Sequence, residues 1–417
     1  MENEYRDWSQ LVPEILDLIA SRLSLADYYR FGSVCTTWRH SRSSYRHPIP
    51  WLLYSRFRTS KSRGFYCLQN KRFYQIPMPE AFRQGWWSGS SHGWLIMFNQ
   101  KNYSDSLFNP FTGNTIPLPN NHHNLNHGDL FNFSVWKKRF TSCIKAILSS
   151  EPTLANIAAG RCVVAAIVIR DEVSAAAWWD DGDNHDDHLL ARWDDDGNHD
   201  YHLLVFCRPG DENWTPCVIP NDFDLEIANI IFSDGKLYGI TRFLHLYVFD
   251  INDKAISWRK LLTHPPSTIT SKEKAFHNPL YMVESRGELL LIIRVMSLQL
   301  RPGPSRRYTK SFSIFKLDSR TDPASWVRVE DIHGRVLFVG RDQPQLIELS
   351  GFHEWSGFES NCIYYVDDDY DDAENSSPEI GVFRLDGRLR LLPRGISIIP
   401  FFGYPCLFPS IWFTPNP

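Results

Sequence analysis

The sequence lacks the features that mark membrane and secreted proteins. Its longest run of purely apolar residues, 162–169, is far shorter than the roughly 20 residues that span a bilayer. The opening residues, MENEYRDW, are acidic and contain no apolar stretch of the kind found in secretory signals. We therefore expect a soluble protein of the cytoplasm, the nucleus or both, without a membrane partner.

The cysteine spacing and the net charge argue against a metal site and against nucleic-acid binding. The 8 cysteines form no CxxC pair and follow no regular spacing, which argues against a zinc site or a disulfide framework. Most lie in apolar surroundings, where a free thiol behaves as a small hydrophobe. The net charge of −4 leaves no basic stripe for nucleic acid.

Catalytic motifs are also missing. No glycine-rich phosphate loop, metalloprotease helix or pair of catalytic carboxylates stands out in the sequence. We therefore predict no catalytic residues and no cofactor. An active site in the channel of the β domain stays open as an alternative.

The chain does have the composition of a folded protein with two unequal parts. Its 417 residues are 43% hydrophobic and 14% aromatic, which is typical of a globular rather than a disordered chain. One segment, residues 8–43, has a clear helical pattern, and the remainder has the pattern of strands.

The first predicted helix is amphipathic. At about 100° per residue, its apolar arc consists of Ile15, Leu16, Ile19, Ala20 and Leu23. The opposite face is polar except for an apolar residue at position 18. A capping-box spacing predicts a second helix over 25–31, and a third short helix is expected to carry Val34, Cys35 and Trp38. Three helices of this size cannot bury a core of independent stability, so their apolar surplus indicates a partner protein.

The order of residues in this segment resembles an F-box. The matching positions are Trp8, Leu11, Pro13-Glu14-Ile15-Leu16, Ile19, Leu23, Arg30-Phe31, Ser33-Val34-Cys35 and Trp38-Arg39. F-boxes usually open with Leu-Pro, whereas Val12 follows Leu11 here. The resemblance implies docking on a Skp-family adaptor and, through it, on a cullin. The residues expected to carry docking, by contact or by shaping the unit, are Leu11, Pro13, Ile15, Leu16, Ile19, Leu23, Val34 and Trp38. The alternative is a helical hairpin packed on the chain's own β domain.

Two themes recur in the rest of the chain. The first is a Ser-x-Gly turn that leads into an apolar strand. Its glycines are at 93, 235 and 287, and a weaker copy without the glycine begins at Ser360. The second is a strand ending in aspartate with a tryptophan eight residues later, as in Asp250 with Trp258 and Asp318 with Trp326. A repeat of about 50 residues predicts a β-propeller of six to eight blades. A pair of β-sandwiches or an irregular barrel is the alternative.

The C-terminal part also resembles the plant F-box proteins with a kelch-like, KIB-type propeller. The segments that carry the resemblance are GSSHGWLIMF, NPFTGNTIPLP, FSDGKLYGI, YMVESRGELLLI, SNCIYYVDDD and PSIWFTPNP. It implies a non-catalytic substrate receptor of an SCF-type ubiquitin ligase that captures a protein substrate for ubiquitination. We thus expect a mainly β chain with a small N-terminal α unit: a three-helix F-box at 1–45, a linker with the first strands at 46–82, and an irregular propeller at 83–417.

The most unusual segment is a tandem duplication at 179–204. Each copy contains an Asp-rich stretch and a His-x-x-His pair, His185 with His188 and His199 with His202. These side chains are candidate ligands for a divalent cation. The other interpretation, which we favour, is a duplicated and solvated hairpin insertion, because i and i+3 share a face only on a helix and this sequence is a poor helix former.

Two adjacent tryptophans are the candidates for substrate contact. Trp86 and Trp87 lie beside glycine and differ in context from Trp258 and Trp326, which we expect in blade cores. Exposed tryptophans often dominate protein interfaces. Substrate identity itself is not encoded in any local motif of this chain.

Overall fold

The computed structural model places strands along most of the residues that it describes beyond residue 49. The residues it describes are 7–20, 23, 28, 31–32, 34–40, 49–54, 61–69, 71–82, 86–98, 105–119, 143–171, 200–217, 227–251, 256–266, 278–299, 306–349, 358–366, 380–391 and 410–415. In these residues the strands form six antiparallel or mixed sheets of four or five strands. Each sheet is one blade of a six-bladed β-propeller, as the repeats predicted.

The first three blades each contain four strands. Blade 1 consists of β1 (Trp51–Tyr54), β2 (Ser62–Cys67), β3 (Arg72–Pro77) and β26 (Ile411–Phe413). Blade 2 consists of β4 (Trp86–Ser91), β5 (Trp94–Phe98), β6 (Ser106–Phe108) and β7 (Thr115–Pro117). Blade 3 consists of β8 (Cys143–Leu148), β9 (Val164–Asp171), β10 (Asp200–Cys207) and β11 (Thr215–Cys217).

The last three blades include two with a fifth strand. Blade 4 consists of β12 (Ile227–Ser233), β13 (Lys236–Thr241), β14 (Leu246–Ile251) and β15 (Ile256–Leu261). Blade 5 consists of β16 (Thr263–His264), β17 (Leu280–Ser285), β18 (Glu288–Gln299), β19 (Arg306–Asp318) and β20 (Ala324–Val329). Blade 6 consists of β21 (Arg335–Val339), β22 (Gln345–Glu348), β23 (Cys362–Val366), β24 (Ile380–Arg384) and β25 (Leu389–Leu391).

The helices are short. The N-terminal unit contains a 3₁₀ turn at Trp8–Gln10, α1 at Pro13–Ala20 and α2 at Thr36–His40. Within the propeller a 3₁₀ turn occupies Glu80–Phe82, and α3 at Leu154–Ala158 lies between β8 and β9. No helix in the described parts of the chain is long and apolar enough to cross a membrane.

One strand from each of the six blades contacts the corresponding strand of a neighbouring blade, which gives five contacts: β26 with β4, β4 with β8, β8 with β12, β12 with β17, and β17 with β22. The ring is closed between blade 6 and blade 1. The Trp412 indole on β26 donates to the Val339 carbonyl oxygen at 2.9 Å, and Thr414 donates to Gln345. The last strand of the chain thus completes the first blade, where it pairs antiparallel with β1.

This pairing changes the expected domain division. The segment 46–82 was expected to be a linker with the first strands, and the propeller was expected to begin at 83. In the structure β1, β2 and β3 supply three of the four strands of blade 1. Three strands of the first blade therefore lie on the N-terminal side of the expected boundary, and the fourth, β26, comes from the other end of the chain and closes the ring.

The recurring glycine marks the same turn in blades 2, 4 and 5. The residue before each glycine has a left-handed backbone, as in His92 with Gly93 (φ 52° and 80°) and Asp234 with Gly235 (φ 48° and 71°). Two successive positive φ angles make a two-residue hairpin whose twist matches that of the flanking strands. The pair Arg286–Gly287 shares this conformation, and Asn361 in the weaker copy also has positive φ.

The aspartate–tryptophan theme marks a hairpin between the outer strands of a blade. Phe249 on β14 pairs with Trp258 on β15, and Leu317 on β19 pairs with Trp326 on β20. Trp326 is buried and Trp258 packs partly buried against the core of blades 3 and 4. Both tryptophans therefore belong to the packing between strands, as expected.

Apolar residues fill the spaces between blades. Neighbouring sheets share hydrophobic clusters, such as the one between blades 6 and 1 that contains Ile49, Phe338 and Trp412. Two fully buried arginines lie over aromatic rings across blade boundaries: Arg63 is 5.6 Å from the Trp87 ring and Arg294 is 5.1 Å from the Tyr365 ring. Cation–π contacts of this kind are strengthened when water is excluded.

Candidate functional site

The N-terminal unit begins with a capped turn. The Asp7 carboxylate accepts hydrogen bonds from the Ser9 main-chain N–H at 3.0 Å and from the Ser9 hydroxyl at 2.6 Å. These bonds lower the pKa of Asp7 below its ordinary value. The cap orders the 3₁₀ turn that leads into α1 and presents Trp8 at the surface.

Helix α1 starts at Pro13, which suits a first helical position because its fixed φ is helical and its missing N–H would be unsatisfied there in any case. Glu14 in the first turn complements the helix dipole. The Val12 carbonyl oxygen accepts from the N–H groups of Ile15 and Leu16 at 3.1 and 3.2 Å. The main chain of Val12, the position at which the motif departs from Leu-Pro, thus begins the helix normally.

The inner face of the unit is a small hydrophobic cluster. Leu16, Ala20, Tyr28 and Phe31 are buried in it, and four further side chains pack against it partly buried: Leu11, Ile19, Leu23 and Trp38. Tyr28 and Phe31 are helical, while the rest of the predicted second helix lies outside the described residues. The third helix begins at Thr36, after Val34 and Cys35, and carries Trp38.

Trp38 links the first turn of the N-terminal unit to its last helix. Its indole N–H donates to the carbonyl oxygen of Trp8 at 2.9 Å, and its ring centroid lies 4.5 Å from that of Phe31. A hydrogen bond across 30 residues holds the 3₁₀ turn against α2. Trp38 therefore shapes the unit.

The outer face of the unit is apolar and exposed. Ile15 is 42% exposed and Leu18 is 49% exposed, and the two are one helical turn apart on α1. Trp8, Val12 and Val34 are more exposed still. We call these five residues the outer apolar set. Their exposure leaves these large apolar side chains available for contact with another protein.

The eight residues predicted to carry docking thus divide into two groups. Pro13, Ile15 and Val34 are exposed, so they are available to a partner. Leu16 is fully buried, and Leu11, Ile19, Leu23 and Trp38 support the unit from within. Sequence reasoning did not select Trp8, Val12 and Leu18, although the isolated leucine on the polar side of the helical wheel was a usable signal.

The two candidate substrate residues occupy β4. Trp87 is 1% exposed and lies in the core of blade 2, which corrects the expectation of an exposed anchor. Its ring is enclosed because β4 contacts both β26 and β8. Trp86 begins the same strand and pairs with Phe98, and its side chain lies outside the described residues.

The duplicated Asp/His segment is inserted between β9 and β10. His185, His188 and His199 lie outside the described residues, and so does the side chain of His202. The main chain of His202 pairs with Ile169, so the end of the second copy belongs to strand β10. In the described part of the chain no three His, Cys, Asp or Glu side chains are grouped to hold a metal ion.

Two family profiles match this chain. The F-box domain profile matches residues 8–47, and the KIB1-4 beta-propeller profile matches residues 65–384. The chain belongs to the plant F-box proteins with a KIB1-4 β-propeller. The F-box match contains the whole outer apolar set, and the propeller match covers strands of all six blades.

Relatives in Arabidopsis thaliana share both parts. An F-box/kelch-repeat protein is 25% identical over 413 residues, which covers 98% of this chain and 94% of the relative. A second relative, an F-box protein, is 25% identical over 385 residues, which covers 88% of this chain and 84% of the relative. Among solved structures, the N-terminal domain of Nup159 covers 83% of this chain and 73% of its own, with 11% identity and a TM-score of 0.29, a likeness too distant to inform function.

Proposed function

We propose that this chain is a substrate-recognition subunit of an SCF-type ubiquitin ligase. The F-box docks on a Skp-family adaptor that links it to a cullin, and the propeller captures a protein substrate for ubiquitination. The chain itself supplies binding surfaces and no catalytic group, and it works in the cytoplasm, the nucleus or both.

The observation that carries this proposal is the division of the F-box into two faces. The buried face, centred on Leu16 and Ala20, is closed by residues of the same unit. The outer apolar set remains exposed, at 42% for Ile15 and 61% for Val34. Transferring such side chains from water into an interface is worth about 25 cal/mol for each Å² of apolar surface buried, so a few of them supply useful affinity.

The propeller suits the second role. Six blades form the ring, and the connections between strands differ in length from blade to blade, so they can present a surface of individual shape. Blade 5 is the longest, with strands β18 and β19 forming a hairpin of 12 and 13 residues. Such an arrangement places recognition on loops and leaves stability to the blade cores.

The test is ubiquitin transfer to proteins that the chain captures. The full chain and its Ile15→Asp, Leu18→Asp double variant are each recovered with associated proteins and supplied with the adaptor, the cullin and the ubiquitin-transfer enzymes. We expect the associated proteins to be ubiquitinated with the unaltered chain and to stay unmodified with the variant, although both recover the same set. Equal modification in both samples would remove the role assigned to the F-box.

A scaffold that binds partners without ubiquitin transfer is the alternative that this experiment separates. For a scaffold, both chains recover associated proteins and neither promotes their modification. A matched control is Leu154→Asp, because Leu154 is 88% exposed on α3 of the propeller and lies far along the chain from the F-box. This variant is expected to behave as the unaltered chain does.

A further inference from the structure

A buried polar network lies where the inner strands of the blades meet. The Ser90 hydroxyl on β4 lies 3.2 Å from Oδ2 of Asp342 and 2.9 Å from the main-chain carbonyl oxygen of Trp412. Asp342 is in the connection between β21 and β22, and it is completely buried. Ser90 and Trp412 are 322 residues apart in the sequence, so this contact forms only when the ring closes.

The other half of the network centres on Lys145 of β8. Its ammonium group donates to Oδ1 of Asn229 at 3.0 Å and to the main-chain carbonyl oxygen of Asp342 at 3.3 Å. Asn229 on β12 in turn donates to the Leu280 carbonyl oxygen at 2.9 Å and accepts from the Met282 N–H at 3.3 Å. Lys145 and Asn229 are both buried.

The network therefore reaches every blade. Each blade contributes a donor or an acceptor: Trp412 for blade 1, Ser90 for blade 2, Lys145 for blade 3, Asn229 for blade 4, Leu280 and Met282 for blade 5, and Asp342 for blade 6. A fully buried network of this kind is stabilising only when its members are satisfied, so its geometry has to be held accurately.

Three inner strands are irregular at the network. The register shifts between Trp87 and Gly89 on β4, between Cys143 and Lys145 on β8, and between Ile227 and Asn229 on β12. Bulges of this type redirect the side chains that follow them. In each strand the residue at or directly after the shift, Ser90, Lys145 or Asn229, enters the network.

The contacts of Ser90 identify the protonation state that fits. A serine hydroxyl has one hydrogen to donate, and here two acceptors, the Asp342 carboxyl and the Trp412 carbonyl oxygen, lie within its reach. A carboxylate would compete with the carbonyl oxygen for that hydrogen. A neutral carboxylic acid removes the conflict, because it donates to Ser90 while Ser90 donates to Trp412.

We propose that the axial network is a proton-dependent latch, in which a neutral Asp342 passes a hydrogen bond through Ser90 to the C-terminal strand and so holds the ring closed. When Asp342 loses its proton, one of the two hydrogen bonds of Ser90 is lost and a negative charge is buried. The charge of Lys145 partly offsets this buried negative charge.

The direction of the pKa shift of Asp342 agrees with a neutral carboxyl in the folded chain. Burial raises the pKa of this carboxyl from 3.8 to about 7, against the charge of Lys145 and the hydrogen bonds from Ser90 and from the main chain of Trp412 and of Asp342 itself. Of these facing groups, Lys145 on β8 is the charged one, while Ser90 on β4 and Trp412 on β26 are polar. In the unfolded chain the carboxyl loses its proton near pH 4, so the stability contributed by this group falls as pH rises from about 4 to about 7 and is constant above that.

The experiment compares melting temperatures of the full chain at about pH 5.5 and about pH 8. We expect the unaltered chain to lose roughly 2 °C between the two, beyond the change in Asp342→Asn, since the asparagine amide donates to Ser90 at every pH. Parallel pH profiles for the two chains would overturn the proposal. So would failure of Asp342→Asn to fold, because a neutral donor is what the latch requires.

A pair of serines gives the second arm. Ser90→Ala removes the relay and is expected to lower the melting temperature more at the acid pH than at the alkaline pH. Ser91→Ala is the matched control, because Ser91 is also buried on β4 but bonds to Gln343 at 3.0 Å. It is expected to lower the melting temperature equally at both pH values. Identical pH profiles for the two serine variants would contradict the latch.

Discussion

The indole N–H of Trp38 donates to the carbonyl oxygen of Trp8 at 2.9 Å, and this bond fixes the shape of the F-box. Because Trp8 is exposed and none of the residues of its turn is buried, the bond holds one end of the outer apolar set in place. The docking surface and the internal support of the unit are therefore coupled through two tryptophans.

Replacing Trp38 tests that coupling. Trp38→Phe keeps an aromatic ring against Phe31 but removes the donor, so we expect the unit to lose about 1 kcal/mol of stability. The measurement is hydrogen exchange at the amides of residues 14–20, which should be several-fold faster in the variant.

Trp8→Phe is the control for this substitution, because it retains the main-chain carbonyl that accepts the bond. Its exchange rates are expected to match those of the unaltered chain. If Trp38→Phe also exchanged at the unaltered rate, the indole bond would have no structural role.

The contact of β4 with β8 depends on a glycine. A Cβ added to Gly89 would lie 2.1 Å from the Ala146 carbonyl oxygen, which is main chain and cannot rotate away. We expect Gly89→Ala to cost about 1 to 3 kcal/mol through displacement of the two strands, and to lower the melting temperature. Thr115→Ala is the control, because Thr115 is exposed on β7 of the same blade. An unchanged melting temperature in Gly89→Ala would show that blades 2 and 3 are not in close contact there.

Buried thiols are expected to resist alkylation. Burial raises the pKa of Cys162 to about 11 and that of Cys217 to about 12, so both are almost wholly protonated at neutral pH and inaccessible. Cys35 is only partly buried. Mass spectrometry after brief alkylation of the native chain at about pH 7.5 should find Cys35 modified well before the other two. Similar rates for all three in the native chain, as in denaturant, would contradict the burial of the blade cores.

Local sequence patterns were sufficient to predict the blades of the propeller. The two-residue turn at Asp234 and Gly235 needs two positive φ angles, which few residue pairs provide, so it leaves a visible trace in each copy. The eight-residue spacing of Asp318 and Trp326 likewise reflects a single hairpin between two strands. Repeat length then predicted a propeller, although insertions of unequal length left the number of blades between six and eight.

Ring closure and the axial network could not be predicted in this way. The pairing of β1 with β26 joins the two ends of the chain, and no local pattern specifies it. Ser90, Lys145 and Asp342 come from separate blades and are ordinary residues in their own strands. Their meeting follows from the circular arrangement of six sheets, which becomes visible only in three dimensions.

The F-box could be predicted from the sequence only in part. Helix α1 and its buried residues Leu16 and Ala20 followed from the apolar arc. Whether Ile15 faced inward or outward depended on how much of the arc the small cluster could cover. The cluster covers the side of the arc that carries Leu16 and Ala20, so the opposite edge at Ile15 remains exposed.

The most direct measurement of the central claim is the affinity of the full chain for a purified Skp-family adaptor, by calorimetric titration. We predict binding by the unaltered chain, a loss of at least roughly 100-fold in affinity for Ile15→Asp with Leu18→Asp, and an unchanged affinity for Leu154→Asp. The melting temperatures of all three should agree, since each substituted side chain is exposed. Failure of the unaltered chain to bind, or full affinity in the double variant, would contradict docking through the outer apolar set.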